Sequence, residues 1–68
     1  MKVSYKKLWK KTIDLEYSKS ELRKKAGIST VTLAKLGKDQ IVSMEVLMKL
    51  CEALDCNLND ICEFVEES

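Results

Sequence analysis

The residues best suited to specific binding lie between Thr30 and Lys38, in a segment that predicts a short helix. Leu33 and Leu36 mark the inward side of this helix at the helical repeat of about 100° per residue. The opposite side carries small and β-branched side chains with a single lysine: Thr30, Val31, Ala34 and Lys35, with Thr32 on one flank. Small side chains let a helix lie deep in the major groove of DNA. There threonine and valine can contact thymine methyl groups and lysine can reach guanine. A face packed on another protein is the alternative, and we favour DNA.

A tight turn precedes this helix. Ala26, Gly27, Ile28 and Ser29 supply, in order, four features that a helix-turn-helix needs. These are a small residue where the helices cross, a glycine for a left-handed turn, an apolar residue that plugs the core, and a cap for the next helix. The two helices are therefore predicted to be held at a fixed angle, with Leu22 completing the inward set.

Capping signals and apolar periodicity divide the whole chain into five predicted helices, so we expect an all-α fold. The helices span residues 4–15, 19–26, 30–36, 44–54 and 58–65. The predicted caps are Ser18, Ser29, Ser43 and Asn57, with Gly27 and Gly37 ending the second and third helices. The predicted inward residues of the first helix are Leu8, Trp9, Thr12 and Ile13. Those of the fourth helix are Met44, Leu47, Leu50, Cys51 and Leu54, and those of the fifth are Leu58, Ile61, Cys62 and Val65.

Charge is distributed unevenly along the chain. Residues 1–38 contain eleven lysines or arginines and three acids, whereas residues 39–68 contain Lys49 and eight acids. The halves therefore carry +8 and −7, although the net charge is only +1. Such asymmetry favours an anion-binding surface in the first half. The start of the second helix, with Ser18, Lys19 and Ser20, offers backbone N–H groups suited to a phosphate.

Composition excludes several classes of function. The chain has no histidine, no glycine-rich phosphate loop and no paired nucleophile and base, so we do not expect an enzyme. Cys51, Cys56 and Cys62 lack the spacing of zinc sites, and we expect them to be small buried apolar residues. We expect one domain over residues 1–68, located in the cytoplasm. We expect no cofactor, metal, small-molecule ligand or membrane contact.

The motif at residues 21–36 (ELRKKAGISTVTLAKL), together with the pattern from Tyr5 to about Val65, resembles the Cro/repressor-type (XRE-like) helix-turn-helix family. The resemblance implies a lambda-repressor-like domain of five helices whose third helix contacts DNA bases. It implies base contacts from Thr30 and Val31, with Thr32 and Lys35 also near the groove. It implies phosphate contacts near the start of the second helix, at Ser18, Lys19 and Ser20, and after the third helix, at Lys38.

Two functions remain open from the sequence. The first is a sequence-specific transcriptional regulator, a homodimer on a (pseudo)palindromic operator, whose subunits associate through an apolar patch near Phe64. Alternatively, Phe64 covers the core of its own domain and takes no part in association. The second function is a protein-interaction module, or an antitoxin-like partner, that docks through its acidic half. The acidic residues could instead be a solvated surface.

Overall fold

Within residues 1–67, four helices follow one another, and two short strands near the two ends pair with each other. The computed structural model describes residues 1–67. The elements are β1 (Lys2–Ser4), α1 (Lys6–Asp14), α2 (Lys19–Ala26), α3 (Thr30–Gly37), α4 (Met44–Leu54), a 3₁₀ turn (Leu58–Asp60) and β2 (Glu63–Val65). The strands pair antiparallel, with Val3 opposite Phe64. The fold is thus a helix-turn-helix domain with four helices and a two-stranded sheet.

Serine side chains begin three of the helices, as predicted. Ser18 Oγ accepts a hydrogen bond from the Glu21 amide at 3.1 Å, while the Glu21 carboxylate accepts one from the Ser18 amide at 3.2 Å. Ser29 and Ser43 cap α3 and α4 in the same way through their hydroxyl oxygens. Each bond satisfies a backbone donor that has no partner inside its helix, which fixes where the helix begins.

A left-handed residue ends each helix, but only one of the four is glycine. Gly27 has φ of 69°, as predicted, whereas Glu16, Asp39 and Asp55 adopt φ of 60°, 54° and 52°. The prediction that Gly37 ends the third helix is wrong, because α3 continues through Gly37. The chain turns instead at Asp39, where the Gln40 amide donates back to the Lys35 carbonyl at 2.9 Å. This bond belongs to the Schellman type of helix end.

The core lies between the helices and is closed at one end by Tyr5. Its fully buried side chains are Tyr5, Leu8, Leu22, Leu36, Leu50 and Ile61. The Tyr5 amide donates to Asp39 Oδ1 at 3.0 Å, and its hydroxyl donates to the Gln40 carbonyl at 2.7 Å. These two bonds fix the start of α1 against the end of α3. Burial raises the pKa of the Tyr5 hydroxyl, so this hydroxyl stays a donor at neutral pH.

The predicted fifth helix over residues 58–65 is wrong, and with it the purely all-α class. A single 3₁₀ turn forms at Leu58–Asp60, in which Asp60 Oδ2 accepts from the Asn57 amide at 3.0 Å. The chain then extends into β2 and bonds to β1. The apolar spacing of this segment suits a helix, but the backbone groups of residues 2–4 provide a partner strand that local periodicity cannot reveal.

Three residues predicted to face inward are exposed. Ile13 is 74% exposed at the end of α1, Met44 is 60% exposed at the start of α4, and Leu58 is 40% exposed in the 3₁₀ turn. The terminal turns of a helix have fewer neighbours to cover them. Apolar spacing therefore predicts more burial for residues in these turns than the structure shows. None of the helices within residues 1–67 combines the length and the apolar character that a membrane span requires.

Candidate nucleic-acid interface

The outward side of α3 forms an exposed face that bears no acidic side chain. Thr30, Val31, Ala34 and Lys35 are all exposed, and they fall within about 140° of arc at the helical repeat. Leu36 is fully buried on the other side and fixes the rotation of the helix about its axis. Val31 is 65% exposed, which is unfavourable for an isolated apolar side chain in water. The face therefore has the shape and chemistry to contact base edges.

Thr32 differs from the other predicted base contacts because its side chain is partly occupied. Its hydroxyl lies 3.0 Å from the Ser29 hydroxyl, and its amide donates to Ser29 Oγ at 3.1 Å. It is half-buried and lies on the flank of the exposed face. Its position suits a contact at the edge of the groove more than one at the centre.

The start of α2 offers two free backbone donors. Within residues 1–67, the amides of Lys19 and Ser20 donate no hydrogen bond, whereas the Ser18 amide is held by Glu21. The hydroxyl hydrogen of Ser18 can still be donated outward, because its oxygen serves only as the acceptor for the cap. The capping box therefore leaves two backbone amides, those of Lys19 and Ser20, available at the start of α2.

Lys38 lies just beyond α3, where the backbone is rigid. Its amide donates to the Lys35 carbonyl at 3.1 Å, and the next residue, Asp39, is held by the Tyr5 amide. Lys38 itself is exposed. The predicted phosphate contact at Lys38 therefore rests on a backbone that is fixed to the core.

Two lysines of α2 lie over aromatic rings, a feature that sequence analysis missed. Lys19 Nζ lies 5.0 Å from the centre of the Trp9 ring, and Lys25 Nζ lies 5.0 Å from the centre of the Tyr17 ring. Trp9 belongs to α1, and Tyr17 lies between α1 and α2. No spacing rule links these pairs along the chain, so only the folded structure shows that they meet.

The three cysteines are free and pack against the core, but each is only half-buried, which is less burial than the sequence predicted. Burial raises the pKa of each thiol, which keeps it protonated at neutral pH. Within the described residues, no group of three or more cysteine, aspartate or glutamate side chains converges as a metal site.

The family model of the Cro/C1-type HTH DNA-binding domain matches residues 7–67. The chain therefore belongs to this family of helix-turn-helix DNA-binding domains, and the resemblance inferred from the motif is confirmed. The chain is also similar to a solved structure described as transcriptional regulator VanUg, form II, with 50% sequence identity and a TM-score of 0.93. That match covers 97% of this chain and 88% of the other. No curated protein matches the chain.

Proposed function

We propose that this chain is a sequence-specific transcriptional regulator whose α3 lies in the major groove of DNA. The observation that carries the proposal is the exposed face of α3, which combines small side chains and Lys35 with no acid. We further propose that residues 1–68 form one DNA-binding domain, because the elements from β1 to β2 enclose a single core.

Each predicted contact has a role in this arrangement. Base edges are contacted by Thr30, Val31, Thr32 and Lys35, and phosphates are bound by Ser18, Lys19, Ser20 and Lys38. Lysine can donate to guanine O6 and N7, and the valine methyl groups can pack on a thymine methyl. The phosphate contacts lie before and after the exposed face in the chain, so they would fix the orientation of α3 in the groove. Gly27 sets the angle between α2 and α3.

A homodimer on a (pseudo)palindromic operator is the assembly that we propose. Its support is an apolar surface formed by Ile41, Met44, Met48, Leu58 and Phe64, all of which are exposed. Two grooves connect these residues: one is shared by Ile41, Met44, Leu58 and Phe64, and the other by Met44, Met48 and Leu58. A two-fold dimer would cover this surface and place two α3 helices about 34 Å apart, one DNA turn.

Fluorescence anisotropy with labelled duplexes tests the DNA-binding proposal. We expect one selected palindromic duplex to bind more tightly than random duplexes, with a log–log salt slope on the order of −4 to −9 from released counterions. A folded protein that binds no duplex below about 100 mM salt would contradict the proposal.

The same apolar surface also favours a second function, a protein-interaction module. All five of its residues lie in the half of the chain that carries −7, so a basic partner protein would be attracted to its surroundings. This function would hold if the folded protein bound no duplex but formed a stoichiometric complex with a purified partner.

A further inference from the structure

Trp9 is well placed to orient a lysine that the sequence assigns to DNA. It is the only tryptophan of the chain, it is half-buried against the core, and Lys19 lies above its ring. The Thr12 hydroxyl donates to the Trp9 carbonyl at 2.7 Å, which ties this turn of α1 together. The half-buried ring is restricted by its contacts with the core, whereas an exposed lysine side chain is flexible in solution.

An aromatic ring can hold an ammonium group without cancelling its charge. A carboxylate partner would hold Lys19 equally well but would offset its attraction for a phosphate. Within residues 1–67, the ion pairs are Lys7 with Glu63 and Lys49 with Glu45, and neither involves α2. Two of the three lysines of α2, Lys19 and Lys25, lie over aromatic rings instead.

Only Lys19 of this pair lies at the predicted phosphate site. It is the first residue of α2, beside the free amides of Lys19 and Ser20, whereas Lys25 lies in the last turn. The two residues are separated by about 9 Å along the helix axis and about 120° around it. Lys25 is therefore a natural control, with the same charge, the same helix and the same kind of contact.

We propose that Trp9 is a positioning residue that holds Lys19 in place for a DNA phosphate. The inference rests on the proposed function and adds a residue that does not itself contact DNA. Restricting Lys19 before binding lowers the entropy lost when the contact forms. Tryptophan is the aromatic residue that attracts a cation most strongly, so phenylalanine at this position should replace it only in part.

Binding of a labelled random-sequence duplex, of about two helical turns, tests this inference, because phosphate contacts do not require the operator. We expect Trp9→Leu to weaken binding by about 2- to 5-fold per protomer, the range of an exposed cation–π contact, and Trp9→Phe to weaken it less. Lys19→Gln should reduce the salt slope by about 0.9 per protomer. When Lys19→Gln is already present, adding Trp9→Leu should not weaken DNA binding further. When Lys25→Gln is present instead, Trp9→Leu should weaken DNA binding as much as it does in the native protein.

Tryptophan emission provides a measurement that needs no DNA. We expect Lys19→Gln to change the emission of Trp9 in the free protein and Lys25→Gln to leave it unchanged. Thermal unfolding establishes that each variant is folded. If Trp9→Leu does not fold, Trp9→Phe is compared in the same two lysine backgrounds.

Equal weakening by Trp9→Leu with and without Lys19 would overturn the inference, since the ring would then act only through stability. Unchanged emission in Lys19→Gln would also overturn it. A native protein that binds no duplex at low salt would overturn the proposed function as well. If the native protein binds DNA but the effects of Trp9→Leu and Lys19→Gln on binding are independent, only the positioning role of Trp9 would be overturned.

Discussion

Three acidic residues occupy a backbone conformation that glycine adopts most easily. Glu16, Asp39 and Asp55 all have positive φ and follow the ends of α1, α3 and α4. A side chain in this conformation costs about 1–2 kcal/mol, and a negative charge at a helix C-terminus is also unfavourable. Asp39 offsets this cost by accepting a hydrogen bond from the buried Tyr5 amide. No such bond is present at Glu16 within the described residues.

Glu16→Gly should therefore stabilise the fold. We expect the free energy of unfolding to rise by about 0.5–1 kcal/mol, after allowance for the greater freedom of glycine in the unfolded chain. Urea denaturation measures the change. Asp39→Gly is the control, and it should bring no gain because it removes the acceptor of Tyr5. A less stable Glu16→Gly variant would contradict this account.

The two glycines of the chain should respond in opposite ways to the same substitution. A Cβ atom added at Gly27 or Gly37 meets no atom within 4 Å, so sterics with neighbours play no part. Gly27→Ala should cost about 1 kcal/mol because its φ is 69°. Gly37→Ala should raise the free energy of unfolding by up to about 0.5–1 kcal/mol, because Gly37 lies in a helix and alanine favours that conformation. Melting temperatures that shift in the same direction for both variants would contradict the assigned conformations.

Among the elements, those that begin with local capping signals were predictable and those made by distant pairing were not. Ser18, Gly27 and Ser29 determine the bounds of α2 and the start of α3 through neighbours within a few residues. The exposed face of α3 follows from those bounds. β2 depends on β1, from the other end of the sequence, so periodicity assigned it to a helix. The contact between Trp9 and Lys19 likewise depends on how α1 packs against α2.

The role of α3 predicts a change in sequence preference for one variant. Lys35→Ala should weaken binding to the selected operator by about 1–3 kcal/mol and relax the preference at one base pair. Competition binding with operators changed at one base pair at a time measures this. Lys10→Ala removes an equally exposed lysine from α1 and should leave the base preference unchanged. Equal weakening of Lys35→Ala on all sequences would assign Lys35 to a phosphate.

Across the whole molecule, the excess of positive charge and the proposed dimer surface are found in different parts of the chain. The half with +8 contains the α2 and α3 contacts, and all five residues of the proposed dimer surface lie beyond α3 and its turn, from Ile41 to Phe64. DNA is bound by cations, and a second copy of the chain would be bound through apolar side chains. The proposed DNA contacts and the proposed dimer surface share no residue, so we expect that both can be occupied at the same time.

Phe64→Ser tests the dimer surface, with Ile13→Ser as its matched control. Phe64 is 73% exposed and Ile13 is 74% exposed, but Ile13 lies on α1 outside the apolar surface. We expect Phe64→Ser to be monomeric in sedimentation at high micromolar concentration, while Ile13→Ser stays dimeric. A native protein that sediments only as a monomer would contradict the free dimer, and dimeric Phe64→Ser would place the interface elsewhere.

The sheet that joins β1 to β2 has a consequence for the order in which the chain folds during synthesis. The contacts of α2 with α3 and with α4 all involve residues before position 55, whereas β1 must wait for residues 63–65 to emerge from the ribosome. Phe64, in the proposed dimer surface, emerges with the same strand. A growing chain is therefore expected to acquire its DNA-contacting helices before it acquires the surface that joins two subunits.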